Sequence, residues 1–93
     1  MTSADYKPIG RLDAGTAAAH ERSIQELLVG EVNSVAINLS EVDFLSSAGL
    51  RMLLVAAKAA QKKGGKVVLI SPSPPVLEVL EASGFDKVIQ IQV

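Results

Sequence analysis

The chain has no cysteine and no tryptophan. That removes any disulfide framework, any thiolate nucleophile and any thiolate-ligated metal. It has a single histidine, His20, which cannot build a zinc site by itself. Its helical neighbours place it on a polar face, where it is expected to be solvated. No apolar run approaches the roughly 20 residues of a membrane span, and the opening Met1-Thr2-Ser3-Ala4-Asp5-Tyr6 has no apolar segment of the signal-peptide kind. The expected compartment is therefore the cytoplasm. An excess of one charge is lacking too. Nine basic residues face ten acidic ones, for a formal net charge of −1, so neither nucleic acid nor a membrane surface is expected as a partner. Phosphate-binding signatures are missing: there is no Gly-x-Gly-x-x-Gly, and Lys63-Gly64-Gly65-Lys66 lacks P-loop spacing. No cofactor and no metal are expected.

What is present is an aliphatic composition, 48% hydrophobic with one tyrosine and two phenylalanines. Ninety-three residues suit one domain around one core, read here as spanning 1–93. Tyr6 to Leu12 is a weak strand candidate, interrupted by Pro8 and Gly10. Ala17 to Val29 has helical spacing of Ile24, Leu27 and Leu28, with Asp13 or Thr16 to cap it and Gly30 to stop it. Ser34 to Leu39 alternates as a strand. Leu50 to Lys63 is the strongest helix pattern, ended by Gly64-Gly65. Val67 to Ile70 is a continuous apolar run, as expected of a strand buried on both faces. Ser71 to Pro75 reads as a turn, with Ser73 as cap, into a helix over Val76 to Ala82. Val88 to Val93 alternates as a half-buried strand. From residue 34 onward the order is β-α-β-α-β, which implies a mostly parallel sheet with helices packed against it.

Two features of this framework bear on function. The long helix carries two apolar stripes. Leu50, Leu53, Leu54 and Ala57 are expected to face the sheet, and Met52, Val55, Ala56 and Ala59 to face another helix or a partner. Just before it, in what reads as a loop after the strand, Ser46 and Ser47 fall at a helix N-terminus. A hydroxyl there can cap free backbone N–H groups, and a phosphate there is favoured by the helix dipole. Residue types and spacing leave both roles open. Asp13, Glu41 and Asp43 are acidic residues that could converge, the only hint of acid–base chemistry. No base-and-nucleophile constellation surrounds the serines, since Gly-x-Ser-x-Gly is absent, and an enzyme is not expected.

The run Asn38-Leu39-Ser40-x-Val42-x-Phe44-Leu45-Ser46-Ser47-Ala48-Gly49-Leu50 resembles the signature of the STAS domain, in particular that of the bacterial anti-sigma factor antagonists. Gly10-Arg11-Leu12-Asp13 matches the family's Gly-x-Leu-Asp turn, and Ser71-Pro72 and Ser83-Gly84-Phe85 fall at two further matching positions. The resemblance covers nearly the whole chain. It implies an α/β STAS-like fold and a switch that performs no catalysis. The family's phosphorylated serine aligns with Ser47, with Ser46 as a competing acceptor. The implied partners are an anti-sigma factor with serine kinase activity, bound only by the unphosphorylated form, and a PP2C-type phosphatase that resets the switch. The partner surface is expected to be built from Asp13, Ser46, Ser47, Ala48, Gly49, Arg51 and Met52, with Arg51 and Met52 pointing away from the expected buried stripe. Two departures stand out. Ser46 replaces the family's usual aspartate, and only nine residues precede Gly10, so the N-terminal strand pair is expected to be shortened and an exposed sheet edge to pair with a second copy. The other readings are a scaffolding or transporter-accessory STAS module, and a small-ligand-binding domain.

Overall fold

The computed structural model describes residues 2–93. The sheet is built from segments in which side chains alternate between two faces. Strand β3 (Ser34–Asn38) points Val35 and Ile37 to one side, and β5 (Val67–Ile70) pairs with it in parallel, setting Val35 opposite Val67 and Ile37 opposite Leu69. Strand β1 (Ser3–Tyr6) pairs with the free side of β3, and β6 (Gln90–Gln92) with the free side of β5. The order is β1-β3-β5-β6, all parallel. Strands β2 (Gly10–Leu12) and β4 (Val42–Leu45) form a separate two-stranded parallel ribbon. This is the α/β, mainly parallel architecture expected from the sequence.

Three α-helices complete the fold among the described residues. Helix α1 spans Ala17–Leu27, α2 spans Ser47–Lys62, and α3 spans Pro74–Ala82. One side of the sheet is dry: Val35, Ile37, Val67 and Leu69 are at most 4% exposed, in one cluster with Ile24 of α1 and Leu53 of α2. Helices α1 and α2 lie side by side, and Lys63 ties their C-terminal ends together. Its ammonium donates to the Leu28 and Gly30 carbonyls, groups left without helical partners where α1 stops.

Several expectations are corrected. Residues 6–12 are not one broken strand. They hold the end of β1, a connection through Pro8, and β2, so both N-terminal strands are present despite their brevity. Val42–Leu45, to which the sequence pattern assigns no element, is β4. Its burial runs buried, exposed, exposed, buried, so no alternation marks it as a strand. Strand β5 is dry on one face only, because Val68 and Ile70 are half-buried on the open side of the sheet.

The buried stripe of α2 is Gly49, Met52, Leu53, Ala56, Ala57 and Ala60, whereas Leu50 and Leu54 are half-buried. Leu53 and Ala57 of the expected stripe are buried, but the buried face is centred part of a turn away from it, taking in Gly49, Met52, Ala56 and Ala60 in place of Leu50 and Leu54. His20 is half-buried rather than fully solvated. Its Nδ1 lies 2.6 Å from the Tyr6 hydroxyl, joining α1 to β1.

Leu53 is fully buried. Leu53→Ala is expected to cost about 2–5 kcal/mol, and Leu54→Ala clearly less. Urea midpoints at unchanged m-value measure both, and equal losses would contradict this stripe.

Candidate functional site

The start of α2 is positioned by the end of β2. Leu12 is fully buried, and its carbonyl accepts two bonds from Ser46, one from the backbone N–H at 2.9 Å and one from the hydroxyl at 3.2 Å. The same hydroxyl oxygen accepts from the Gly49 N–H at 3.3 Å. Ser46 is thus the N-cap residue, with the extended backbone that this position needs (φ −98°, ψ 177°). Gly49 then passes over Leu12. A Cβ at residue 49 would stand 2.5 Å from the Leu12 carbonyl oxygen and 2.8 Å from Leu45 Cδ1. Only glycine allows the helix to start this close to the ribbon.

Ser47 is the first residue of α2, and it is exposed. Its hydroxyl has no hydrogen-bond partner among the described residues. The two serines that composition could not tell apart therefore stand in different situations. The Ser46 hydroxyl is engaged as donor and as acceptor, while that of Ser47 faces water at the positive end of a helix with no acidic residue in its first turn.

Beside them is the Asp13 turn, which follows β2 directly. Asp13 Oδ2 accepts from Arg11 Nε at 2.9 Å, and Oδ1 accepts from the Gly15 N–H at 2.9 Å. The Arg11 bond, aided by the two backbone contacts at Gly15 and Thr16, holds the Asp13 carboxyl below its ordinary value, against a smaller opposing effect of burial. Thr16 occupies the N-cap position of α1, yet its hydroxyl serves the turn instead: it donates to the Arg11 carbonyl at 2.8 Å and accepts from the Asp13 N–H at 3.1 Å. The guanidinium of Arg11 also lies 4.1 Å above the ring of Phe44, which is 41% exposed on β4.

The structure thus brings Asp13, Ser46, Ser47, Ala48 and Arg51 to one end of the molecule, with Ser47 and Arg51 exposed and the other three half-buried. Two expected surface residues are not on the surface. Gly49 is buried against Leu12, and Met52 is 2% exposed, because the helix rotation described above turns both inward. The three acidic residues do not converge: Asp13 pairs with Arg11 and Glu41 with Lys7. Arg11 and Phe44 were missed as parts of this surface. Their pairing arises from the β2–β4 register, Arg11 opposite Phe44, and the sequence signals it only once β4 is known to be a strand.

A family model for the STAS domain matches residues 4–93, and the chain belongs to that family. BtrV of Bordetella bronchiseptica, provisionally named an anti-sigma factor antagonist, is 34% identical over 89 residues, spanning 91% of this chain and 77% of BtrV. A Thermotoga maritima crystal structure, likewise provisionally named, superposes with a TM-score of 0.89 at 24% identity, covering 98% of this chain and 79% of that one. The anti-sigma factor antagonist SpoIIAA, from Bacillus, gives 0.82 at 20% identity in its unphosphorylated form, covering 99% of this chain and 81% of SpoIIAA. Its phosphorylated form gives 0.72 at 21% identity, covering 98% and 83%.

The division between the serines has a stability signature. Ser46→Ala, which loses the cap, is expected to cost about 1 kcal/mol, and Ser47→Ala less than about 0.5 kcal/mol, read from denaturant melts. Gly49→Ala is expected to cost about 1–3 kcal/mol. The lowered Asp13 value gives stability that is present above the unfolded-chain pKa near 4 and lost as pH falls through the lower folded value. Asp13→Asn should therefore flatten the acid limb of the stability curve. An unchanged limb in acid titration followed by circular dichroism would contradict the Arg11 pairing.

Proposed function

We propose that this chain is an anti-sigma factor antagonist working as a phosphorylation-controlled switch. As one STAS domain in the cytoplasm, it binds an anti-sigma factor that is also a serine kinase, and so frees the sigma factor. The kinase phosphorylates Ser47, the complex breaks, and a PP2C-type phosphatase restores the binding form. The chain is the substrate in this cycle and carries out no catalysis of its own. The observation that carries the reading is the exposed, unbonded hydroxyl of Ser47 at the first residue of α2, beside a serine whose hydroxyl is already committed as the cap. The names of its relatives support it, as does the phosphorylated form of SpoIIAA.

The partner surface consists of Ser47, Ala48 and Arg51 at the start of α2, the Asp13 turn, and Arg11 stacked on Phe44. A phosphate adds about −1.5 to −2 charges at neutral pH to a surface that is fitted to a neutral hydroxyl. The fold tolerates that charge, because a negative group at a helix N-terminus is stabilising by about 0.3–1 kcal/mol. Phosphorylation therefore acts on binding and leaves the architecture alone.

Immobilised wild-type, Ser47→Ala and Ser47→Asp proteins, challenged with the cognate lysate, separate the outcomes. A protein with ATP-dependent serine kinase activity should bind wild type and Ser47→Ala. It should bind Ser47→Asp at least about tenfold more weakly, a difference of 1.4 kcal/mol, while all three melt alike within about 1 kcal/mol. Equal retention on all three would contradict the switch.

A further inference from the structure

A groove of about 510 Å³ opens between α1 and α2, next to Ser47. Small apolar residues line it, among them Ala17, Ala48 and Met52, together with three charged ones, Glu21 and Arg22 from α1 and Arg51 from α2. Both arginines are exposed, and neither is in a salt bridge among the described residues. The chain has three arginines. The third, Arg11, is held by Asp13 and Phe44 beside the same loop. The two groove arginines therefore present fork-shaped donors that no salt bridge engages among the described residues, not even with the Glu21 carboxylate that lines the same groove.

Arg51 is four residues after Ser47. At about 100° per residue the two lie within roughly 40° of each other around the helix, one turn apart. Residues so placed are neighbours on a helix surface, and an acidic group N-terminal to a basic one is the favourable order. Long helical side chains lean toward the N-terminus, the direction in which residue 47 lies from Arg51. The stripe of α2 lining the groove, Ala48, Arg51, Met52 and Val55, begins on the flank of Ser47. Arg51 thus stands between Ser47 and the groove, with Arg22 across from it.

We propose that Arg51, with Arg22 facing it, takes up the phosphate carried by Ser47, so that modification fills the α1–α2 groove from within the chain. The proposal rests on the assignment of Ser47 as the modified residue. In the unmodified protein the groove offers two free guanidinium groups to a partner's carboxylates. In the phosphorylated protein the dianion claims Arg51 first, being tethered one turn away. The switch then works by withdrawing a contact as well as by adding a charge.

The test installs phosphoserine at position 47 during translation, so no kinase is involved and its outcome is independent of the capture experiment above. Phosphorus-31 NMR titration reads the second phosphate pKa, near 6 when unperturbed. The value in the phosphorylated wild-type protein is expected to lie about half a pH unit below that in phosphorylated Arg51→Gln, with a smaller rise in Arg22→Gln and collapse of the difference in about 1 M salt. The helix N-terminus acts equally in all three proteins, so the difference isolates the arginines. The Arg51 Nε–H resonance should shift on phosphorylation in the wild type. Identical titration curves for wild type and Arg51→Gln, with an unmoved Arg51 Nε–H signal and native circular dichroism, would overturn the proposal.

Discussion

The close passage of α2 over the end of β2 is the constraint on which the functional end of the molecule depends. The Leu12 carbonyl accepts both the N–H and the hydroxyl of Ser46, and Gly49 lies against the same oxygen with no room for a Cβ. A buried carbonyl has to be satisfied, and here its partners are the cap of the next helix. One contact therefore fixes where β2 ends, where α2 begins and how α2 is rotated. That rotation buries Gly49 and Met52, and it leaves Ser47 and Arg51 outside.

The electrostatics of the first turn follow from the same contact. A neutral serine caps α2, and no acidic residue stands in the first turn, so the positive end of the helix has no compensating negative charge. Relatives with an aspartate at the position of Ser46 would carry a charge there permanently. Under the proposed switch, the phosphate on Ser47 would be the first strong negative charge at the helix start, and modification would bring a larger electrical contrast. The Asp13 carboxylate does not fill the role, since it is held by Arg11 and by the turn it closes.

The layered architecture was legible in the sequence because its signals are local. β-Branched alternation marked β3, double glycine ended α2, and Pro74-Pro75 opened α3. The exposed serine at a helix start was legible for the same reason. Strand β4 was not, because its burial pattern has no period of two and its partner, β2, lies some 30 residues earlier in the chain. The rotation of α2 was hidden as well. Leu50 and Leu54 outweigh Ala56 and Ala60 in any hydrophobicity count, yet it is the alanines that are buried beside Met52 and Leu53. The difference between Ser46 and Ser47 depends on the Leu12 carbonyl, an acceptor that no local pattern reveals.

The central claim is that Ser47 is the modified hydroxyl and Ser46 the structural one. Tandem mass spectrometry of the protein isolated from the cells that encode it, in the state where the sigma factor is held inactive, tests this most directly. A phosphate on Ser47, with Ser46 unmodified, is the predicted result. A phosphate on Ser46 would contradict the account, since that hydroxyl would have to leave both Leu12 and Gly49 to receive it.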